Sequence, residues 1–148
     1  MLKLIDWPPV WTGLCLAAAW GLAWAVRLRL FGVAGDVGGS ILVVTGFGLM
    51  ILAVWEMGRA RTTVVPRRAA SRLVTTGIFG FSRNPIYLGD ALVLMGACLI
   101  LDTVLGIALV PLFVWIINTR FIEGEEAHLT ESFGDAYLSW CGSVRRWV

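Results

Sequence analysis

Two short groups of residues in this chain carry the means for chemistry. The first is Arg83-Asn84-Pro85, inside Ser71–Asp90 (SRLVTTGIFGFSRNPIYLGD), a cationic, turn-rich segment that runs into an apolar stretch. Asparagine is a good N-cap, and proline suits the first helical position, where its missing N–H has no partner to lose. Arg83 is therefore expected just before a helix N-terminus whose dipole favours an anion. The second group is Glu125-Glu126. Projected at ~100° per residue, Ile122, Leu129, Phe133 and Trp140 share one direction, and both glutamates fall within ~60° of it. Glu123, His128, Glu131 and Asp135 point the other way. A carboxylate turned toward packed side chains needs a cationic partner, and the arginine-rich stretch is the nearest supply. Taken singly, the first group reads as a capped helix start and the second as an ion pair with Arg83 or Arg120. Taken together they form a receptacle for a zwitterion, with arginine on its carboxylate and glutamate on its ammonium.

The elements that must position these groups are membrane helices. Of 148 residues, 58% are hydrophobic and 15% charged, and mean hydropathy is +0.81; soluble domains carry about 25% charge. The expected fold is an all-α integral membrane protein with about four transmembrane helices and a cytoplasmic amphipathic C-terminal helix. Residues 1–57 hold two spans, Val10–Val26 and about Val37–Met57, with a glycine-rich turn over Gly32–Gly39 between them. Residues 58–84 form a polar loop and 85–117 a helical hairpin, Pro85–Leu101 and Val104 to about Ile117, joined by Asp102-Thr103. Pro111 can kink the last of these. Residues 118–148 complete a single domain as the C-terminal helix, over 119–141, and tail. The first apolar run continues past Ala17-Ala18-Ala19 and follows a single lysine, so a span is expected rather than a cleaved leader. With the N-terminus inside, the inner face collects Lys3, Arg59, Arg61, Arg67, Arg68, Arg72, Arg83, Arg120, Arg145 and Arg146, against Arg27 and Arg29 outside. This asymmetry places the 58–84 loop and the C-terminus in the cytoplasm.

Other candidates carry less. The net charge of +2 is too small to suggest nucleic acid. Cys15, Cys98 and Cys141 are scattered, without disulfide or metal-ligand spacing. His128 lies on the solvated face. Asp90 and Asp102 lie in or beside apolar helices, where acids are functional candidates; both sit near helix ends within reach of water, and Asp102 reads as a turn residue. Gly46-Phe47-Gly48 follows no strand and reads as helix packing. No P-loop, nucleophile elbow or HExxH is present, and no metal is expected.

The run LVTTGIFGFSRNPIYLG, with EEAHLTESFGDAYLSW and the closing VRRW, resembles the isoprenylcysteine carboxyl methyltransferase family, which is similar in turn to phospholipid N-methyltransferases. The match covers about residues 71–148. It implies a membrane-embedded methyltransferase that uses S-adenosylmethionine without a Rossmann domain. By position, Ser71, Arg72, Leu73 and Val74 match a cofactor-contacting segment. Phe79 matches an aromatic that is usually tyrosine, and Asn84, Pro85, Ile86 and Tyr87 match the RHPxY segment, with asparagine in place of histidine. Glu125 matches the carboxylate that binds the methionine ammonium, with Glu126 beside it. Arg83, Arg120 and Glu126 are the candidates on the reacting side. The family's substrate-side arginine falls at Phe121, one position from Arg120. The implied function is methyl transfer to a lipophilic acceptor at the cytoplasmic face, with carboxyl O-methylation as one form. Phospholipid or phenolic-lipid methylation, or a non-enzymatic small membrane protein whose Glu–Arg cluster is structural, are the alternatives.

Overall fold

Pro8 and Pro9 open the first helix, α1 (Pro8–Ala25), where proline at the first positions loses no hydrogen bond. A computed structural model describes residues 7–26, 30–62 and 72–148, and all its regular structure is helical. The second helix, α2, runs 28 residues from Gly32 to Arg59. The turn expected over Gly32–Gly39 is therefore helical instead. Two features make it so. Asp102, from a distant turn, receives the backbone N–H groups of Leu30, Phe31 and Gly32 at 2.8, 2.9 and 3.1 Å, and so supplies the start of α2 with the acceptor and negative charge it lacks locally. The glycines themselves are contact points.

Helix α3 (Pro85–Ile100) packs antiparallel along α2, and glycine sets how close they come. A methyl group on Gly39 would lie 2.5 Å from the Gly96 carbonyl oxygen, and one on Gly46 would lie 2.5 Å from that of Gly89. The reverse holds: methyls on Gly96 and Gly89 would meet the Gly39 and Gly46 carbonyls at 2.5 and 2.6 Å. Each helix repeats its glycine after seven residues, close to two helical turns, so the seam stays on one face.

The joint after α3 is tight. Asp102 has φ +52°, and the Thr103 hydroxyl accepts the Gly106 N–H at 3.2 Å to cap α4 (Val104–Ile107). The chain breaks at Ala108 before α5 (Leu109–Ile117). The expected kink thus falls three residues before Pro111, which takes a place in the first turn of α5, where its lost N–H is tolerated. A wide π-type turn over Asn118–Ile122 leads into α6 (Glu123–Phe133). Gly134, at φ +50°, separates α6 from α7 (Asp135–Ser143). The C-terminal segment is therefore two helices with a bend, where one over 119–141 was expected.

Two clusters hold these elements together. One joins α1, α3 and α5 through Cys15, Ala19, Tyr87, Leu94, Cys98, Phe113, Ile117 and Ile122. The other lies at the Pro85 end of α3. There Ala53 of α2, Phe79 of a short 3-10 turn (Gly77–Gly80), and Tyr137, Trp140 and Val144 of the α7 region bury one another. Among the described residues two stretches are long and apolar enough to cross a membrane, Gly32–Arg59 and Val104–Phe133, and Pro85–Ile100 is a shorter apolar helix. Helix α2 turns Val33, Val37, Ile41, Val44, Phe47 and Ile51 outward.

Candidate functional site

The second cluster supports a polar layer that gathers residues from four parts of the chain. Asn84 and Pro85 start α3 as their types dictate, but the Asn84 side chain makes no capping bond. Its amide Nδ2 instead donates to the Arg146 carbonyl at 3.1 Å, and its own N–H is received by Ser82 Oγ at 3.2 Å. The backbone N–H of Arg83 donates to the Arg145 carbonyl at 3.1 Å. The Arg83-Asn84 turn is thus strapped to the last residues of the chain. Trp147 secures the strap from the other side, its indole N–H donating to Asn118 Oδ1 at 3.2 Å.

The two adjacent glutamates divide. Glu126 lies between two guanidinium groups, with Arg146 donating from Nε at 3.1 Å and Nη2 at 2.6 Å, and Arg83 Nη1 at 3.3 Å. The Arg146 contact is a bidentate, charge-assisted pair, which fixes geometry as well as charge. It also raises the guanidinium's pKa, the Glu126 hydrogen bond being the largest cause. Glu125 accepts the Tyr87 hydroxyl at 2.8 Å. This bond ties the first turn of α3 to the first turn of α6, across 38 positions of sequence. Both glutamates are half-buried, whereas Glu123, His128, Glu131 and Asp135 are exposed.

Below this layer, Arg83 Nη1 also contacts Cys141 Sγ at 2.6 Å. The Tyr137 phenol is nearly enclosed, at 3% exposed. Its pKa is pushed well above the ordinary tyrosine range, first by burial, then by its hydrogen bond with Cys141 and the nearby charge of Glu126. A shallow groove of about 720 Å³ opens beside the second cluster, lined by Leu73, Thr75, Gly80, Ser139, Trp140 and Ser143 among others.

The residues singled out in the sequence are distributed as follows. Arg83, Asn84, Tyr87, Glu125 and Glu126 converge in one layer. Leu73, Val74, Phe79 and Ile86 pack in the second cluster beneath it. Pro85 is fully buried at the start of α3, and Arg72 is exposed. Ser71 lies outside the described residues, as do Lys3, Arg27, Arg29, Arg67 and Arg68 of the topology argument. Arg120 is not in the layer. Its guanidinium stacks 5.3 Å from the Trp11 ring of α1, while Phe121 beside it is buried at 3%. Arg146 and Cys141 are the residues that reasoning from sequence missed. The closing VRRW was visible as a motif, but nothing local indicates that a tail returns to a loop some 60 positions earlier. No group of three or more histidine, cysteine or acidic side chains with metal-holding geometry occurs among the described residues.

The donor set suits a zwitterionic amino-acid group with an apolar companion. By type, carboxylate matches an ammonium, guanidinium matches a carboxylate, and the Phe79 cluster with its groove matches a flat apolar part. The chain is similar to a protein-S-isoprenylcysteine O-methyltransferase of Schizosaccharomyces pombe, with 35% identity over 65 residues, covering 44% of this chain and 28% of that protein. It is similar also to one of Saccharomyces cerevisiae, with 29% identity over 108 residues, covering 72% of this chain and 45% of that protein. The chain thus spans less than half the length of either relative. No solved structure matches. Residues 36–136, from the start of α2 through the glutamate pair to α7, match the model of the phospholipid methyltransferase family. With both motif segments inside the matched region and joined by the Tyr87–Glu125 bond, the chain belongs to that methyltransferase family, in which its resemblance to isoprenylcysteine methyltransferases also lies.

Proposed function

We propose that this protein transfers a methyl group from S-adenosylmethionine to a lipophilic acceptor at the cytoplasmic face of a membrane. The observation that carries the reading is the Tyr87–Glu125 hydrogen bond, which brings the RNPxY and EE segments into one layer. In this reading α1, α2, α3 and α4–α5 cross the membrane, and the polar layer lies at the cytoplasmic end of the bundle.

Glu125 is assigned to the methionine ammonium and Arg83 to the methionine carboxylate. Leu73, Val74, Phe79 and the adjoining groove receive the apolar remainder; Ser71, Arg72, Asn84, Pro85 and Ile86 belong to the same segment. Bound here, the cofactor supplies a methyl group on a cationic sulfur, already strongly electrophilic. What remains for the protein is to align donor and acceptor and to keep water out. Glu126 is neutralised by Arg83 and Arg146, so its part is to hold the turn and the tail in place. Arg120, outside the layer and over Trp11 of α1, is assigned to an anionic head group arriving from the bilayer.

The test is calorimetric titration of purified protein with S-adenosylmethionine, followed by incubation of the labelled donor with total lipid. Heat of binding, its loss in Glu125→Ala, and a lipid heavier by about fourteen mass units are expected, the increment being one methylene. Absence of donor binding in the wild-type protein would leave the Glu–Arg layer a structural network and overturn the reading.

A further inference from the structure

Arg83 and Arg146 share Glu126 unequally. Arg146 grips it at two points, with Nε on Oε1 at 3.1 Å and Nη2 on Oε2 at 2.6 Å. Arg83 approaches it only through Nη1, at an ion-pair distance of 3.3 Å from Oε1. Among the described residues, the Arg83 side chain finds its hydrogen-bond acceptor in Cys141 Sγ, and a thiol accepts weakly. Its Nε is enclosed and has no partner there. Yet Arg83 is the more buried of the two side chains, 15% exposed against 36% for Arg146. A guanidinium offers five N–H donors, and an enclosed donor left unpaired is costly. The more enclosed cation is thus the one whose donors are less used. The charges agree. Two guanidiniums face one carboxylate, so Arg83, Glu126 and Arg146 together keep one positive charge, and Glu125 adds a negative one on the Tyr87 side. The complement of that pattern is one carboxylate beside one ammonium.

Resting on the methyl-transfer reading above, we propose that Arg146 is a positioning residue for the donor site: by holding Glu126, it keeps Arg83 available to the carboxylate of the donor's methionine portion. Without the Arg146 side chain, Glu126 has Arg83 as its remaining partner in the cluster, already 3.3 Å away. Closing that contact into a two-point pair would use the Arg83 fork inside the protein. It would also leave the cluster with no net positive charge, so an incoming carboxylate would meet Glu126 as a repelling neighbour. Glu125 and its bond to Tyr87 are untouched by this change, so the grip on the ammonium survives it. The strap itself does not depend on the Arg146 side chain. Backbone carbonyls of Arg145 and Arg146 receive the Arg83 N–H and the Asn84 amide, and both remain when the guanidinium is removed.

The probes are S-adenosylmethionine and its decarboxylated analogue, titrated calorimetrically into the full chain in detergent. The analogue keeps the sulfonium, the ammonium and the adenosine and lacks the carboxylate. Wild-type protein should bind the full donor about 10- to 100-fold more tightly than the analogue, the range for a hydrogen bond to a charged group. In Arg146→Ala the donor should lose most of that advantage while the analogue binds as before. Arg146→Lys keeps a charge beside Glu126 but not the two-point grip, and should lose part of it. The double variant Glu126→Gln/Arg146→Ala should recover the preference, because a neutral amide no longer claims Arg83. A residue that merely braces the tail would weaken both ligands alike and would gain nothing from the second substitution. Equal weakening of both ligands in Arg146→Lys, the milder change, or no recovery in the double variant would therefore overturn the proposal. Equal binding of the two ligands by the wild type would overturn it too, since Arg83 would then read no carboxylate. Failure of the wild type to bind either ligand would instead refute the methyl-transfer reading beneath it.

Discussion

The Tyr87–Glu125 and Arg146–Glu126 contacts give the two neighbouring carboxylates different duties, and substitution should separate them. Glu125→Gln keeps shape and one acceptor oxygen but removes the charge offered to an ammonium. Donor affinity should drop about 10- to 100-fold, the range for a hydrogen bond to a charged group. Tyr87→Phe removes a neutral donor to that carboxylate and should weaken binding less, about 5-fold; titration calorimetry on both variants decides. Tyr137 offers a measurement in the apo protein. Its pKa is raised in the fold, so the stability it contributes is fully present below the unfolded tyrosine value of about 10 and declines as pH rises beyond it. In Tyr87→Phe, where Tyr137 is the remaining tyrosine, tyrosinate absorbance should therefore appear only as helical circular dichroism is lost. A tyrosinate signal near pH 10 with helicity intact would show that the phenol is not enclosed as described. Much of this layer was legible in the sequence, because a 3.6-residue projection finds which acids turn inward. What the projection could not supply was their partners. Asn84 reads as a cap from its type alone, yet the Arg146 carbonyl takes its amide, since a returning tail is a long-range event with no local signature.

The elements show where glycine was misread. A run of glycines between two apolar stretches has the composition of a turn, but Gly35 and Gly39 lie in a helix because α3 approaches too closely for any side chain. Helix propensity alone disfavours them; packing overrides that preference, and only the partner strip Gly89–Gly96, seven residues apart like Gly39–Gly46, reveals the match. Gly46→Ala and Gly96→Ala should each destabilise by about 1–3 kcal/mol, the range for overpacking against immovable backbone. Gly48→Ala, with open space around its added methyl, should be neutral or slightly stabilising. Thermal unfolding in detergent across the three variants tests the seam. Equal stability of Gly46→Ala and Gly48→Ala would refute the close approach. The far end of the same helix pair depends on Asp102, which the sequence marks as a turn residue and the structure shows also holding three N–H groups of the α2 start. Asp102→Ala should cost about 1–2 kcal/mol, at the upper range for a lost cap.

At the scale of the whole molecule, the polar layer shares one end of the bundle with Arg59 and Arg120. The glycine register sets the Arg59 end of α2 beside the start of α3, and the cluster that holds Trp11 and Cys15 with Tyr87 sets the start of α1 there too. At this end Arg59 stacks 4.7 Å from Trp55, and Arg120 lies over Trp11. Tryptophan and arginine together favour the head-group zone, where ring and guanidinium are both half-solvated. The 10:2 distribution of basic residues expected from sequence points the same way, because lysine and arginine are retained on the cytoplasmic side. Under the proposed function a soluble methyl donor and a bilayer-borne acceptor meet at such a boundary, so orientation is part of that proposal and not a detail of insertion. It can be tested with single cysteines. Cys15 and Cys98 are buried, and Cys141→Ser removes the remaining partly exposed thiol. In that background Arg145→Cys should react with a membrane-impermeant maleimide only after the cells are permeabilised, and Arg29→Cys should react in intact cells. The opposite pattern would place the Glu–Arg layer outside, away from a cytosolic donor, and methyl transfer at that layer would then have no supply.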